Sequence, residues 1–130
     1  MPTVPRITPV LVYADIEAAH AFLVEAFGFD AGSLERGDDG RVVHEEVFID
    51  GESVWLHQAA PEHGLSSPGS HHTASGGLAV LVDDVDAHCE RARSAGAVID
   101  DAPQEQPYGP REYGARDPEG HRWWFGSAVG

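Results

Sequence analysis

The chain has no lysine, one cysteine and one methionine, and its 8 cationic side chains are all arginine. The missing lysine excludes Schiff-base chemistry and a Walker-type phosphate loop. The glycine-framed signatures of serine hydrolases and dinucleotide-binding folds, G-x-S-x-G and G-x-G-x-x-G, are absent too. The single thiol, Cys89, has no internal partner for a disulfide. Cations are scarce: 22 acidic residues against 8 arginines give a formal net charge of −14. Such a surface repels polyanions, so neither nucleic acid nor anionic membrane is expected as a partner. It favours cationic ligands, or serves solubility alone, and composition does not choose between these. No leader-like or membrane-length apolar run occurs, so a cytoplasmic location is expected.

What the chain does have is an internal repeat. Val10-Leu11-Val12-Tyr13-Ala14-Asp15-Ile16-Glu17-Ala18 reads like Ala79-Val80-Leu81-Val82-Asp83-Asp84-Val85-Asp86-Ala87. Each apolar run ends at an Asp suited to N-capping and passes into a helical pattern that stops at a glycine, Gly28 or Gly96. Both copies end in a hairpin: Asp50-Gly51 precedes Val54-Trp55-Leu56, and Asp117-Pro118-Glu119-Gly120 precedes Trp123-Trp124-Phe125.

The patterns predict βαβββ twice. The first copy has strands near 7–13, 31–36, 42–49 and 53–58, with a helix after Asp15. The second has strands at 77–82, near 98, at 112–116 and 121–125, with a helix over 84–95. Val85, His88, Cys89 and Ala92 share one stripe of that helix, which reads as a buried, inert thiol. Residues 1–130 are expected to form one domain, with modules at 5–58 and 77–127 and a Pro/Ser/Gly/His-rich linker at 59–76. His71-His72 reads as solvated linker. Neither half covers both faces of a four-stranded sheet, so two must join, within or between chains.

The tandem βαβββ order, Ile7-Thr8-Pro9-Val10 before the first Asp-capped helix, and the run Gln106-Pro107-Tyr108-Gly109-Pro110-Arg111-Glu112-Tyr113-Gly114-Ala115-Arg116-Asp117-Pro118-Glu119-Gly120-His121 resemble the vicinal oxygen chelate superfamily. That group holds glyoxalase I, extradiol dioxygenases and bleomycin-resistance proteins, and the last are most similar. The resemblance implies an α+β fold in which two modules curl a mixed sheet into a cup, usually closed by homodimerisation. Metal-using members carry His or Glu at the start of each module's first strand and within its last. The resemblance aligns Thr8, Trp55, Gly77 and Trp124 with those points, and none is a usual ligand, so no metal or other cofactor is expected there.

Strand parity then proposes the cup lining. A two-residue Asp50-Gly51 turn pairs Phe48 with Ser53, Glu46 with Trp55 and His44 with His57 on one face. Val47, Ile49, Val54 and Leu56 take the helix side, with Glu45 as an exception there. A four-residue Asp117–Gly120 loop would pair Arg122 with Ala115, Trp124 with Tyr113 and Gly126 with Arg111, sending Trp123 and Phe125 to the helix side. The expected ligand-binding set is therefore Trp55, Trp124, Tyr113, Phe48, Glu46, His44, His57, Arg111 and Arg122: an apolar body with a few orienting polar groups. His121 reads as a turn or surface residue, and His20, His63 and His88 carry no signal.

The leading reading is a homodimeric protein that binds or sequesters a planar or cationic small molecule, with antibiotics among the candidates, and performs no covalent step. The alternative is a lyase, isomerase or dioxygenase-like enzyme. It would either use His44 or His57 as a metal-free base or bind a divalent metal through His44, Glu46 and His57.

Overall fold

The computed structural model describes residues 6–70 and 73–127; the expectation for His71-His72 lies outside them. The elements run β1 (Val10–Tyr13), α1 (Ile16–Phe27), β2 (Asp30–Arg36), β3 (Val42–Ile49), β4 (Glu52–Gln58), β5 (Gly77–Leu81), α2 (Val85–Ser94), β6 (Val98–Glu105), β7 (Arg111–Arg116) and β8 (Arg122–Gly126). Short 3₁₀ turns at Pro61–His63 and Pro68–Ser70 occupy the connection between the copies. Two mixed sheets result, ordered β1-β4-β3-β2 and β5-β8-β7-β6, with β1 parallel to β4 and β5 parallel to β8.

The repeated Asp does in both copies what the sequence implies. Asp15 accepts from the Ala18 N–H at 3.1 Å, and Asp84 from the Ala87 N–H at 3.0 Å. Gly28 ends α1 at φ 77°, in the left-handed region that side chains avoid. Asp50 and Gly51 both have positive φ, 47° and 85°, as a type I′ turn requires. That turn fixes the β3–β4 register at His44↔His57, Glu46↔Trp55 and Phe48↔Ser53.

The other hairpin corrects the sequence reading. Asp117 N–H donates to His121 O and Gly120 sits at φ 90°, so the loop is three residues, Pro118-Glu119-Gly120, with the last one left-handed. The register becomes Tyr113↔Phe125, Gly114↔Trp124, Ala115↔Trp123 and Arg116↔Arg122. Because side chains alternate, this one-residue slip moves the whole of β7 to the opposite face.

The helix-side faces of both sheets share one core, including Tyr13, Leu23, Phe27, Val47, Leu56, Val85, Cys89, Tyr113, Trp123 and Phe125. Each large side chain buried there contributes about 1.5–3 kcal/mol. Phe27, at the end of α1, packs 4.8 Å from Phe125 and 5.6 Å from Trp123, ring centroid to centroid, joining the copies. Polar contacts lock the same junction. Buried Asp117 accepts the Tyr13 hydroxyl at 2.5 Å and the Trp123 indole N–H at 3.2 Å. The Glu119 carboxylate takes the N–H groups of Ala14 and Asp15 at 2.6 and 2.8 Å. At the far end of α1, Arg91 and His88 donate to the carbonyls of Glu25 (3.0 Å) and Phe27 (2.8 Å), which lack helical partners. His121 is not a plain surface residue: its Nε2 lies 2.7 Å from Val12 O and its ring packs on Tyr13.

Candidate functional site

Both helices cover the inner faces of the sheets, which leaves one open face per module. On the first, Trp55 is 42% exposed, and its indole N–H donates to Glu46 at 3.0 Å. The Ser33 hydroxyl reaches the other oxygen of Glu46 at 3.4 Å. His44 meets the Trp55 ring edge-on at 5.5 Å, and His57 Nδ1 lies 2.8 Å from Gln58 O. Phe48 extends over Gly32, where any Cβ would come within 2.9 Å of its ring. The open face thus brings His44, Glu46, Phe48 and Trp55 together. Glu45 points inward as expected, buried against α1 with His20 Nδ1 at 2.9 Å, and desolvation raises its carboxyl pKa.

On the second open face the Trp124 indole reaches across from Gly77 of β5 to Gly114 of β7, where the neighbouring strands bear no side chains. A Cβ on Gly77 would meet its six-membered ring at 2.7 Å, and one on Gly114 would meet its pyrrole edge at 3.4 Å. The ring forms a wall of two shallow cavities. One, of about 380 Å³, is lined also by Ala79, Leu81, Pro110 and Glu112. The other, of about 220 Å³, is lined by Asp101, Gln104, Gln106 and Gly114. The Arg122 guanidinium stands 5.7 Å from the indole centroid, within cation–π range. Glu112, absent from the sequence-based set, accepts the Tyr108 hydroxyl at the opposite end.

Two expected lining residues belong elsewhere. Tyr113 is fully buried on the helix side, with its hydroxyl 2.6 Å from His88 Nδ1. Burial lowers the His88 pKa, and a neutral ring that donates to Phe27 O through Nε2 accepts the Tyr113 proton at Nδ1. Arg111 shares the Tyr113 face and grips Asp86 of α2 through two bonds of 2.8 and 2.9 Å. Both errors follow from the loop length. The signal that could have prevented them is the glycine at the end of Asp-Pro-Glu-Gly, the left-handed position of a three-residue hairpin loop.

At the positions that the resemblance aligns with the superfamily's metal ligands, the chain carries Thr8, Trp55, Gly77 and Trp124, none of them a usual ligand of a divalent ion. Val10 pairs with Trp55, and Gly77 and Trp124 are in contact on their own sheet, so these points offer indoles and a bare backbone in place of carboxylate and imidazole. The alternative set does not converge either: Glu46 is engaged by Trp55 and Ser33, and among the described residues no group of three His, Cys, Asp or Glu side chains could hold a metal ion.

The family model described as glyoxalase/bleomycin resistance protein/dioxygenase superfamily matches residues 4–125. The chain belongs to that superfamily. An uncharacterised protein of Mycobacterium tuberculosis is 37% identical over 131 residues, covering 96% of this chain and 75% of the relative. Among solved structures, TioX from a Micromonospora species is 30% identical at a TM-score of 0.76, covering 95% of this chain and 98% of that one. TnmS3, an antibiotic binding protein from a Streptomyces species, is 28% identical at a TM-score of 0.74, covering 98% of both chains. As in other members of the superfamily, two βαβββ modules frame the open faces. Among the described residues no helix is long and apolar enough to cross a membrane.

Proposed function

We propose that this superfamily member binds a planar aromatic small molecule, in the manner of an antibiotic-sequestering protein, and releases it unchanged. The observation that carries the reading is the Trp124 indole set between Gly77 and Gly114, an aromatic surface on an open sheet face. Aromatic rings stack offset on such a surface, and each pair contributes about 0.5–1.5 kcal/mol beyond its area. The structural similarity to TnmS3, an antibiotic binding protein, supports the same direction. No metal takes part in this reading.

The reading includes a cytoplasmic homodimer. The two open faces share no hydrogen bond or ring contact among the described residues, and Trp55, Val10 and Leu81 stay 42%, 50% and 72% exposed. A second copy that sets its Trp124 face opposite the first copy's Trp55 face would close a cup between two indoles. Glu46 holds the Trp55 ring in place, while His44 and His57 offer hydrogen bonds to a ligand's edge.

Titration of the protein with planar antibiotics, followed by tryptophan fluorescence, tests the proposal. Saturable quenching, recovery of unchanged compound by mass spectrometry, and at least about tenfold weaker binding by Trp124→Glu are expected. Appearance of a product would assign catalysis instead, and unaltered affinity of Trp124→Glu would remove the platform. Light scattering is expected to give twice the 13.9 kDa chain mass.

A further inference from the structure

The Trp124 face is electrically polar along the strand direction. Its three residue pairs run Arg122 with Arg116, then Trp124 with Gly114, then Gly126 with Glu112. Both guanidiniums lie at one end of the indole and Glu112 lies at the other. In a chain with 8 cations and 22 anions, two arginines directly opposite each other concentrate a quarter of the positive charge at one point.

One carboxylate serves both. Asp100 Oδ1 takes Arg116 Nη2 at 2.9 Å, and its Oδ2 lies 3.3 Å from Arg122 Nε. The terminal amino groups of Arg122 make no hydrogen bond among the described residues; its Nε is buried without a hydrogen-bond partner, the side chain is 35% exposed, and the guanidinium lies over the indole. Glu119 lines the adjoining cavity of about 490 Å³ with Arg116 and Arg122, yet both its oxygens are already bonded to the N–H groups of Ala14 and Asp15. Asp101 stands beside Gly114 and Glu112 beyond the ring, so a negative group fits at one end of the platform and is repelled at the other.

Resting on the binding reading above, we infer that the ligand carries an acidic group, a carboxylate or phenolate, at one end of its aromatic plane, held by Arg122 with Arg116 while the rings stack on Trp124. Charge-assisted bonds from a guanidinium are about twice as strong as neutral ones, so this contact selects among ligands of the same shape. The net charge of −14 favours cations at long range, and the arginine pair reverses that preference locally.

Three probes of one shape test this by calorimetry on the full chain: 2-naphthoate, 2-naphthamide and 2-naphthylmethylammonium. The carboxylate is expected to bind at least about tenfold tighter than the amide, and the ammonium weakest. Arg122→Gln should bring the ratio of carboxylate to amide towards one. Raising sodium chloride from about 50 to 500 mM, which needs no variant, should weaken the carboxylate and not the amide. An amide as tight as the carboxylate, or an ammonium that binds best, would overturn the acidic-group inference while leaving the aromatic platform intact. Failure of all three to bind would overturn both.

Discussion

Replacing Asp117 with alanine removes one acceptor that four donors share: the Tyr13 hydroxyl, the Trp123 indole N–H, and the backbone N–H groups of Glu119 and His121 at 3.1 Å each. The two backbone groups lie in a partly exposed turn and can be rehydrated. Tyr13 and Trp123 are fully buried, so each is left with an unmet donor costing about 1–3 kcal/mol. Against this, the buried carboxylate pays its own desolvation, seen in its raised pKa, and that penalty disappears with it. A net loss of about 3 kcal/mol follows, which in a domain of this size lowers the melting temperature by roughly 10 °C. Urea unfolding followed by circular dichroism measures it. Tyr13→Phe is the control: it removes one donor and leaves Asp117 with three, so about 1 kcal/mol is expected. A loss below about 1 kcal/mol for Asp117→Ala, or equal losses for the two variants, would refute the claim that this carboxylate latches the modules together. The latch also gives the Asp-Pro-x-Gly run a physical role in the fold.

Gly114→Val tests the platform without touching the tryptophan, since its methyl groups would occupy the space under the pyrrole edge and lift the ring. Probe binding by calorimetry should weaken about tenfold in a chain whose circular dichroism is unchanged. Unaltered affinity would show that the ligand does not use the Trp124 indole. Alkaline stability is the last expectation. Burial raises the pKa of Tyr13 and Tyr113 above the ordinary 10.0, so both phenols ionise more readily in the unfolded chain. Their contribution is full below pH 10.0 and declines as the pH rises through the higher folded values. The urea midpoint should fall steeply there, and Tyr113→Phe should flatten the fall.

Local chemistry alone determined the repeated βαβββ order, the Asp15 and Asp84 caps and the Gly28 stop. It also determined the β3–β4 register, because an Asp-Gly pair in a two-residue loop leaves the strands one way to align. From that register Trp55, Glu46 and His44 followed onto one face. The second face was half legible: Trp124 and Arg122 were placed on it, while Tyr113 and Arg111 were misassigned by one residue of loop length. Glu112 and Gly114 took their places for the same reason.

No local rule announced what His88, His121 and Arg91 do, since their partners, Phe27, Tyr13, Val12 and Glu25, lie far away in the chain. The setting of the Trp124 indole between two glycines is a tertiary fact as well. It needs a glycine from β7 on one side and another from β5 on the other, and only the assembled sheet brings those strands to the flanks of β8. Sequence periodicity sets which way a side chain points along its own strand; the neighbours that decide whether it lies down, pairs or is buried come from packing.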